Sequence, residues 1–233
     1  MTLMETSRNL GRKLTSQEIK DAIVIDFEGV GVATTGAEQG VLKQPSLLGI
    51  RCDQKTTFYL LDKKMQLLSR GVRNDHERAC GVATLRAALA EVVDKAHHEN
   101  RLVIAFSRHE PDLIERFASA EIVSAFSHIL ADIKPVFEKG FRRKKGRAPR
   151  RTGGERTLAC MASLWRRPLV ERQRDIEVGK TIRKLHRALV GKSRLGSVTP
   201  EIRERFRDLL EYNHMDLRIT QEAGRAAARL LES

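Results

Sequence analysis

The chain has 233 residues, 41% hydrophobic and 31% charged, which is enough apolar mass for a buried core and excludes a wholly disordered chain. Its 43 Lys and Arg against 30 Asp and Glu leave a net charge of +13, which favours a polyanionic partner, most often nucleic acid. No apolar run approaches the roughly 18–20 residues needed to span a bilayer, and the polar N-terminus, Met1 to Lys20, lacks the apolar middle of a secretion signal.

Thr15 and Glu18 have the spacing of a capping box and can start a short helix. Residues 22–29 (AIVIDFEG) are rich in β-branched side chains and read as a buried strand ending at glycine. Residues 46–52 and 56–62 read as two more strands, joined at hairpin length by Asp53-Gln54-Lys55. Residues 82–97 carry a helical stripe of Val82, Leu85, Leu89, Val92, Val93 and Ala96. Leu102 to Phe106 is a short apolar strand, and Pro111 fits the first turn of a helix running to about Ser119.

Residues 121–138 mix helix and strand around Ile129-Leu-Ala-Asp132. Residues 140–156 are loop-like and very basic, and Thr157 to Trp165 reads as a helix. Residues 171–200 give no clear pattern, and Pro200 starts a last helix to about Leu231. Three strands, a helix, a strand and then mostly helices predict an α/β layered fold with a mixed sheet. Residues 1–20 are expected as an N-terminal extension, and 21–233 as one domain with a basic loop insertion around 139–156. Cys52, Cys80 and Cys160 are odd in number, far apart and without a CxxC pair. That argues against a zinc finger or a disulfide framework and suits a reducing, cytoplasmic setting.

Three segments carry possible chemistry. Asp26 and Glu28 are two apart on a strand, so both carboxylates leave an apolar run on one face. Such neighbours repel unless a cation lies between them, and oxygen ligands suit Mg²⁺ or Mn²⁺. Tyr212 and Asp216 are four apart and share one face of the last helix. Glu110 and Asp112 follow Ser107 where a strand gives way to a helix, a usual place for active-site residues in α/β folds. Two glycine patterns are decoys. Gly29-Val-Gly31 is followed by Thr34 where a dinucleotide fingerprint needs glycine, and Gly179-Lys180-Thr181 has Arg174 where a phosphate-binding loop needs glycine.

Taken in order, these segments resemble the DEDD superfamily of 3′–5′ exonucleases, in its tyrosine subgroup, and are similar to its RecB-associated RNase H-like branch. Asp26-x-Glu28 matches the first motif and Tyr212-x-x-x-Asp216 the third. The histidine subgroup would need His at 211, which is Glu. The second motif departs from the usual pattern, with Ser107 in place of Asn and either Glu110 or Asp112 as its acid.

The resemblance implies an RNase H-like three-layer fold, with a mixed central β-sheet flanked by helices. It also implies phosphodiester hydrolysis of DNA or RNA from a 3′ end, single-stranded by expectation, with two Mg²⁺ or Mn²⁺ ions about 3.5–4 Å apart. Asp26, Glu28, Glu110 (or Asp112) and Asp216 would hold the ions, and Tyr212 would orient the attacking water. Asp132 would support the site. Apart from the resemblance, the basic run of Arg142, Arg143, Lys144, Lys145, Arg147, Arg150 and Arg151 is a candidate for neutralising strand phosphates. The alternative reading is a catalytically silent module of the same fold that only binds nucleic acid.

Overall fold

The computed structural model describes residues 12–30, 43–106, 109–150, 157–158, 160, 163–165 and 177–233. The strands are β1 (Ile23–Glu28), β2 (Leu47–Cys52), β3 (Lys55–Leu60), β4 (Arg78–Val82), β5 (Val103–Ala105) and β6 (Leu130–Asp132). The helices are α1 (Ser16–Asp21), α2 (Gln66–Ser69), α3 (Leu85–His98), α4 (His109–Phe117), α5 (Ala120–Ile129), α6 (Lys134–Lys145), α7 (Val178–Leu189) and α8 (Pro200–Glu232).

The strands form one mixed sheet in the order β4-β3-β2-β1-β5-β6. β1, β2 and β3 are antiparallel neighbours, while β5 and β6 join β1 in parallel and β4 joins β3 in parallel. Helices cover both faces, so the expected three-layer α/β fold is the one the chain has. Side chains alternate along β1. Ile23, Ile25 and Phe27 pack in a core with Leu89 of α3, Ile114 of α4 and Phe126 of α5. Val24 packs on the opposite face with Phe137 of α6 and Leu217 of α8. Asp26 and Glu28 share that second face, so the period of the strand aims them at α8.

The capping box at the N-terminus is present: Thr15 Oγ1 accepts the Glu18 N–H at 3.1 Å, and Glu18 Oε2 accepts the Thr15 N–H at 2.9 Å. Leu14 and Ile19 are buried in the α6–α8 core, so residues expected in an extension take part in it. The turn between β2 and β3 places Asp53 at φ 55°, a left-handed conformation that Asp tolerates better than most side chains.

Three expectations need correction. The helix expected from residue 82 begins at Leu85, because Val82 ends the edge strand β4, whose sequence RACGV has no apolar alternation to announce it. The basic stretch expected as a loop from 140 instead begins inside α6. Val136, Phe137, Gly140 and Phe141 make a buried stripe, with Val136 and Phe137 in the core shared with the sheet and α8, and the helix extends through Lys145. Arg142 to Lys145 then form its last turn, where cations suit the helix dipole, and Gly146 closes it at φ 69°. Within 171–200, Ile182, Leu185 and Leu189 form the buried stripe of α7. Of the helix expected over Thr157–Trp165, residues 159, 161 and 162 lie outside the described residues, Leu158 and Cys160 are helical, and residues 163–165 form a turn instead.

α8 is 33 residues long and starts at Pro200, with Thr199 Oγ1 accepting the Ile202 N–H at 3.4 Å. It approaches α6 closely at Gly224, where a Cβ would sit 2.4 Å from Ile133 Cδ1. No helix among the described residues is long and apolar enough to cross a membrane.

Candidate metal centre

The carboxyl end of β1 and the middle of α8 build the site. Asp26, Glu28 and Asp216 bring carboxylate oxygens within 4.8 Å of one another. The contact is possible because β2 has glycine beside them. Gly49 pairs with Asp26 in the sheet, and a Cβ there would lie 1.8 Å from Asn213 Oδ1. Asn213, fully buried on α8, therefore rests on bare backbone. Its Nδ2 donates to Asp26 Oδ2 at 2.6 Å and, at 3.5 Å, to Glu28 Oε1.

The electrostatics are those of crowded, buried anions. Burial raises the Asp26 pKa well above the ordinary carboxylate range, and the charges of Glu28, Glu110 and Asp216 add to the rise. Burial likewise raises Glu28 to about 8, helped by Asp216 and opposed by the Asn213 hydrogen bond. A hydrogen bond between the two carboxyls favours the proton on Asp26. Burial first, then the neighbouring carboxylates, raise the Tyr212 phenol, which is hydrogen-bonded to Asp216. Without a cation, protons neutralise this cluster. A divalent ion would take their place, and the all-oxygen donor set fits a hard cation.

The second-motif segment resolves by position. Glu110 is buried in the first turn of α4, and its charge acts on both Asp26 and Glu28. Asp112 is exposed and acts on His109 instead. Helical spacing explains the difference, since residues two apart point to different sides. Ser107 lies outside the described residues. Asp132 Oδ1 accepts the Lys134 N–H at 2.8 Å, which ties it to the start of α6.

No protein-family model matches the chain, and no curated protein matches it at a significant level.

The expected basic run is not brought to the acidic site. Gly140 of α6 packs against Ala227, 11 residues beyond Asp216 on α8, or roughly 16 Å along the helix. Arg142 to Lys145 lie further along the same direction. Lys144 there donates to the Leu164 carbonyl at 2.5 Å and stands over the Trp165 ring. Arg147 stands over Phe141, Arg150 is exposed, and Arg151 is outside the described residues.

A different cationic helix, α7, passes the chain just beyond Glu28. A Cβ on Gly179 would be 3.4 Å from the Val30 carbonyl, two residues past Glu28. His186, farther along α7, bonds Asp62 at 2.9 Å and lies 3.5 Å from Ser46 Oγ. The Ser46 N–H in turn bonds the Glu28 carbonyl at 2.8 Å. Lys180, Arg183, Lys184 and Arg187 are exposed on this helix. Asn213 and these cations were the residues that sequence reading passed over. Asn213 stands three before Asp216, on the shared face. The α7 cations alternate with Ile182, Leu185 and Leu189 at helical spacing, but only the fold shows what they border.

The two basic helices can be separated in solution. Arg183→Ala, Lys184→Ala and Arg187→Ala together are expected to weaken single-stranded oligonucleotide binding. They should also flatten its salt dependence, by about 0.7 in log–log slope for each phosphate that is no longer neutralised. The matched set Arg142→Ala, Arg143→Ala and Lys145→Ala should change both less. Fluorescence anisotropy over a salt series in chelator measures this; a larger loss from the α6 set would show that α7 is not the strand-binding face.

Proposed function

We propose that this chain is a metal-dependent 3′–5′ exonuclease that hydrolyses phosphodiester bonds of DNA or RNA, similar to the tyrosine subgroup of the DEDD superfamily. The observation that carries this reading is the convergence of Asp26, Glu28 and Asp216, with Glu110 acting on the same pair and Tyr212 bonded to Asp216. The mixed sheet, with its antiparallel hairpin joined to parallel strands, is compatible with the RNase H-like fold that the resemblance implies.

Asp26, Glu28 and Asp216 would hold Mg²⁺ or Mn²⁺, with Glu110 beside them. Bound there, such ions supply Lewis acidity and lower the pKa of water toward neutrality. The protein's own groups do the positioning. Asn213 fixes the rotamers of Asp26 and Glu28 through its two-way amide donation. Tyr212 keeps its proton and donates to Asp216, so the phenol aligns that carboxylate. The exposed cations of α7 would hold the strand phosphates at the rim.

The test is a 5′-labelled single-stranded oligonucleotide, in DNA and RNA versions, incubated with Mn²⁺ or with chelator. A metal-dependent ladder shortening from the 3′ end is expected. Intact oligonucleotide in Mn²⁺, with binding that persists in chelator, would replace the exonuclease with the silent binding module.

A further inference from the structure

A second polar site lies on the α8 face of the sheet, at the opposite end of β1 from the carboxylates. It is a cavity of about 510 Å³, a volume typical of small-molecule sites. Its wall includes Arg51 of β2, which pairs with Val24, two residues before Asp26. It also includes Lys20 at the end of α1, and Arg225 and Arg229 of α8. Arg229 stands 13 residues beyond Asp216, roughly 20 Å along the helix, so most of the cavity is remote from the metal centre.

The cations of this wall grade from buried Arg51 through half-buried Arg225 to exposed Lys20 and Arg229. Arg51 is only 3% exposed. Its guanidinium is held by neutral groups: Nε donates to Gln221 Oε1 at 3.1 Å, Nη1 to the Gln54 carbonyl and Thr56 Oγ1 at 3.4 Å, and Nη2 to Gln54 Oε1 at 3.2 Å. Gln221 is fixed in turn by donating to the Lys20 carbonyl at 3.0 Å. The ion pairs of this wall among the described residues, Arg101–Asp53 and Arg218–Glu222, use none of Arg51, Lys20, Arg225 and Arg229. Arg225 Nε and Trp165 Nε1, both on this wall, are buried N–H donors without a hydrogen-bond partner among the described residues. A buried donor left unpaired is costly, and a native fold keeps few of them.

The carboxylates of the same wall are already answered. Asp53 is paired with Arg101 at 2.7 Å, Glu222 with Arg218 at 3.0 Å, and Asp21 accepts from Gln17 at 2.6 Å. Four cations against three carboxylates, two of them paired with Arg101 and Arg218 outside the wall, leave a net positive wall that offers N–H donors. Guanidinium and indole N–H groups that converge in this way suit the oxygens of a phosphate.

We propose that this cavity binds a phosphomonoester of nucleotide size, through Arg51, Arg225, Arg229, Lys20 and the Trp165 indole N–H. A monoester brings a dianion to match several cations, and the volume exceeds what a bare phosphate fills. The site does not depend on the exonuclease reading and is testable without it.

Trp165 is the chain's single tryptophan, so its fluorescence reports on this cavity and on Lys144 above its ring, and the arginine variants below separate the two. In chelator, adenosine 5′-monophosphate is expected to change that fluorescence saturably, and adenosine is not. Arg225→Gln and Arg229→Gln should each weaken the binding roughly tenfold or more, the loss of one charge-assisted hydrogen bond. Arg229 is exposed, so its variant keeps the test valid if Arg225→Gln fails to fold, which circular dichroism would show. A 5′-phosphorylated oligonucleotide and its 5′-hydroxyl twin separate the sources. Binding of the mononucleotide alone identifies a free ligand, and preference for the phosphorylated strand identifies a strand end; either supports the site. No saturable change up to roughly millimolar ligand, equal responses to the nucleotide and adenosine, or unchanged affinity in folded Arg225→Gln or Arg229→Gln would overturn it.

Discussion

Asp26→Asn is expected to abolish phosphodiester hydrolysis and, in chelator, to raise the melting temperature of the protein. The two effects have one cause. Asp26 is half-buried on β1, and the charges of Glu28, Glu110 and Asp216 all act on it. In the metal-free fold those charges make ionisation unfavourable, so the amide removes a strained carboxylate while keeping its shape. Each unit by which folding raises a carboxyl above its ordinary pKa costs up to about 1.4 kcal/mol of stability at higher pH, and an amide is free of that cost. For a chain of this size each kcal/mol moves the midpoint by about 2–4 °C, so a rise of several degrees is expected.

For hydrolysis the same change removes the carboxylate on which the other three converge. Losing about 4 kcal/mol of transition-state stabilisation corresponds to roughly a thousandfold in rate. Thermal melts in chelator and the labelled-oligonucleotide assay in Mn²⁺ measure the two halves. An unchanged or lower midpoint would mean the cluster is not strained. A variant that retains hydrolysis would remove Asp26 from the metal centre.

The second large effect is on pH. Glu28 is raised from its ordinary 4.5 to about 8 in the fold, and Asp26 is raised in the same sense. Between those values the folded protein binds more protons than the unfolded chain. Their contribution to stability is therefore full below about pH 4.5 and is lost as pH rises toward 8. His214 works the other way, since burial lowers it from 6.5 to about 4 and folding is penalised while the unfolded imidazole is charged. Above pH 6.5 that opposing effect fades, so the window from 6.5 to 8 isolates the carboxyls.

Across that window the metal-free midpoint should fall. A divalent cation competes with the protons, so its affinity and the stabilisation it brings should grow with pH. The midpoint in Mn²⁺ minus that in chelator should thus widen from pH 6.5 to 8, and Glu28→Gln should shrink the widening. A difference independent of pH in the wild-type chain would mean that cation and protons do not share these carboxylates.

Much of this was legible before any coordinates. Alternation along Ile23–Glu28 put both acids on one face, because a strand has a period of two whatever surrounds it. The four-residue interval from Tyr212 to Asp216 did the same on a helix. The capping box at Thr15 and the hairpin turn at Asp53 are local chemistry, decided within a few residues, and both are present.

What failed in the reading was non-local. Whether residues 140–145 are loop or helix depends on α6 burying Val136 and Phe137 against a distant sheet, which basic composition conceals. β4 is a strand because β3 offers it an edge, and its own side chains give little sign of that. The choice between Glu110 and Asp112 needed the direction of α4.

By itself the sequence determined the α/β class, the paired carboxylates on β1, the Tyr212–Asp216 pair and the net charge of +13, since each follows from local period or composition. Only the tertiary structure decided that Gly49 lets Asn213 reach the carboxylates, that the charge of Glu110 acts on Asp26 and Glu28, and that α7 rather than α6 passes the chain just beyond Glu28. It also decided that four cations meet around a separate cavity. The physical reason is that contacts between residues some 20 to 200 positions apart depend on how helices cross the sheet, and no window of sequence carries that crossing.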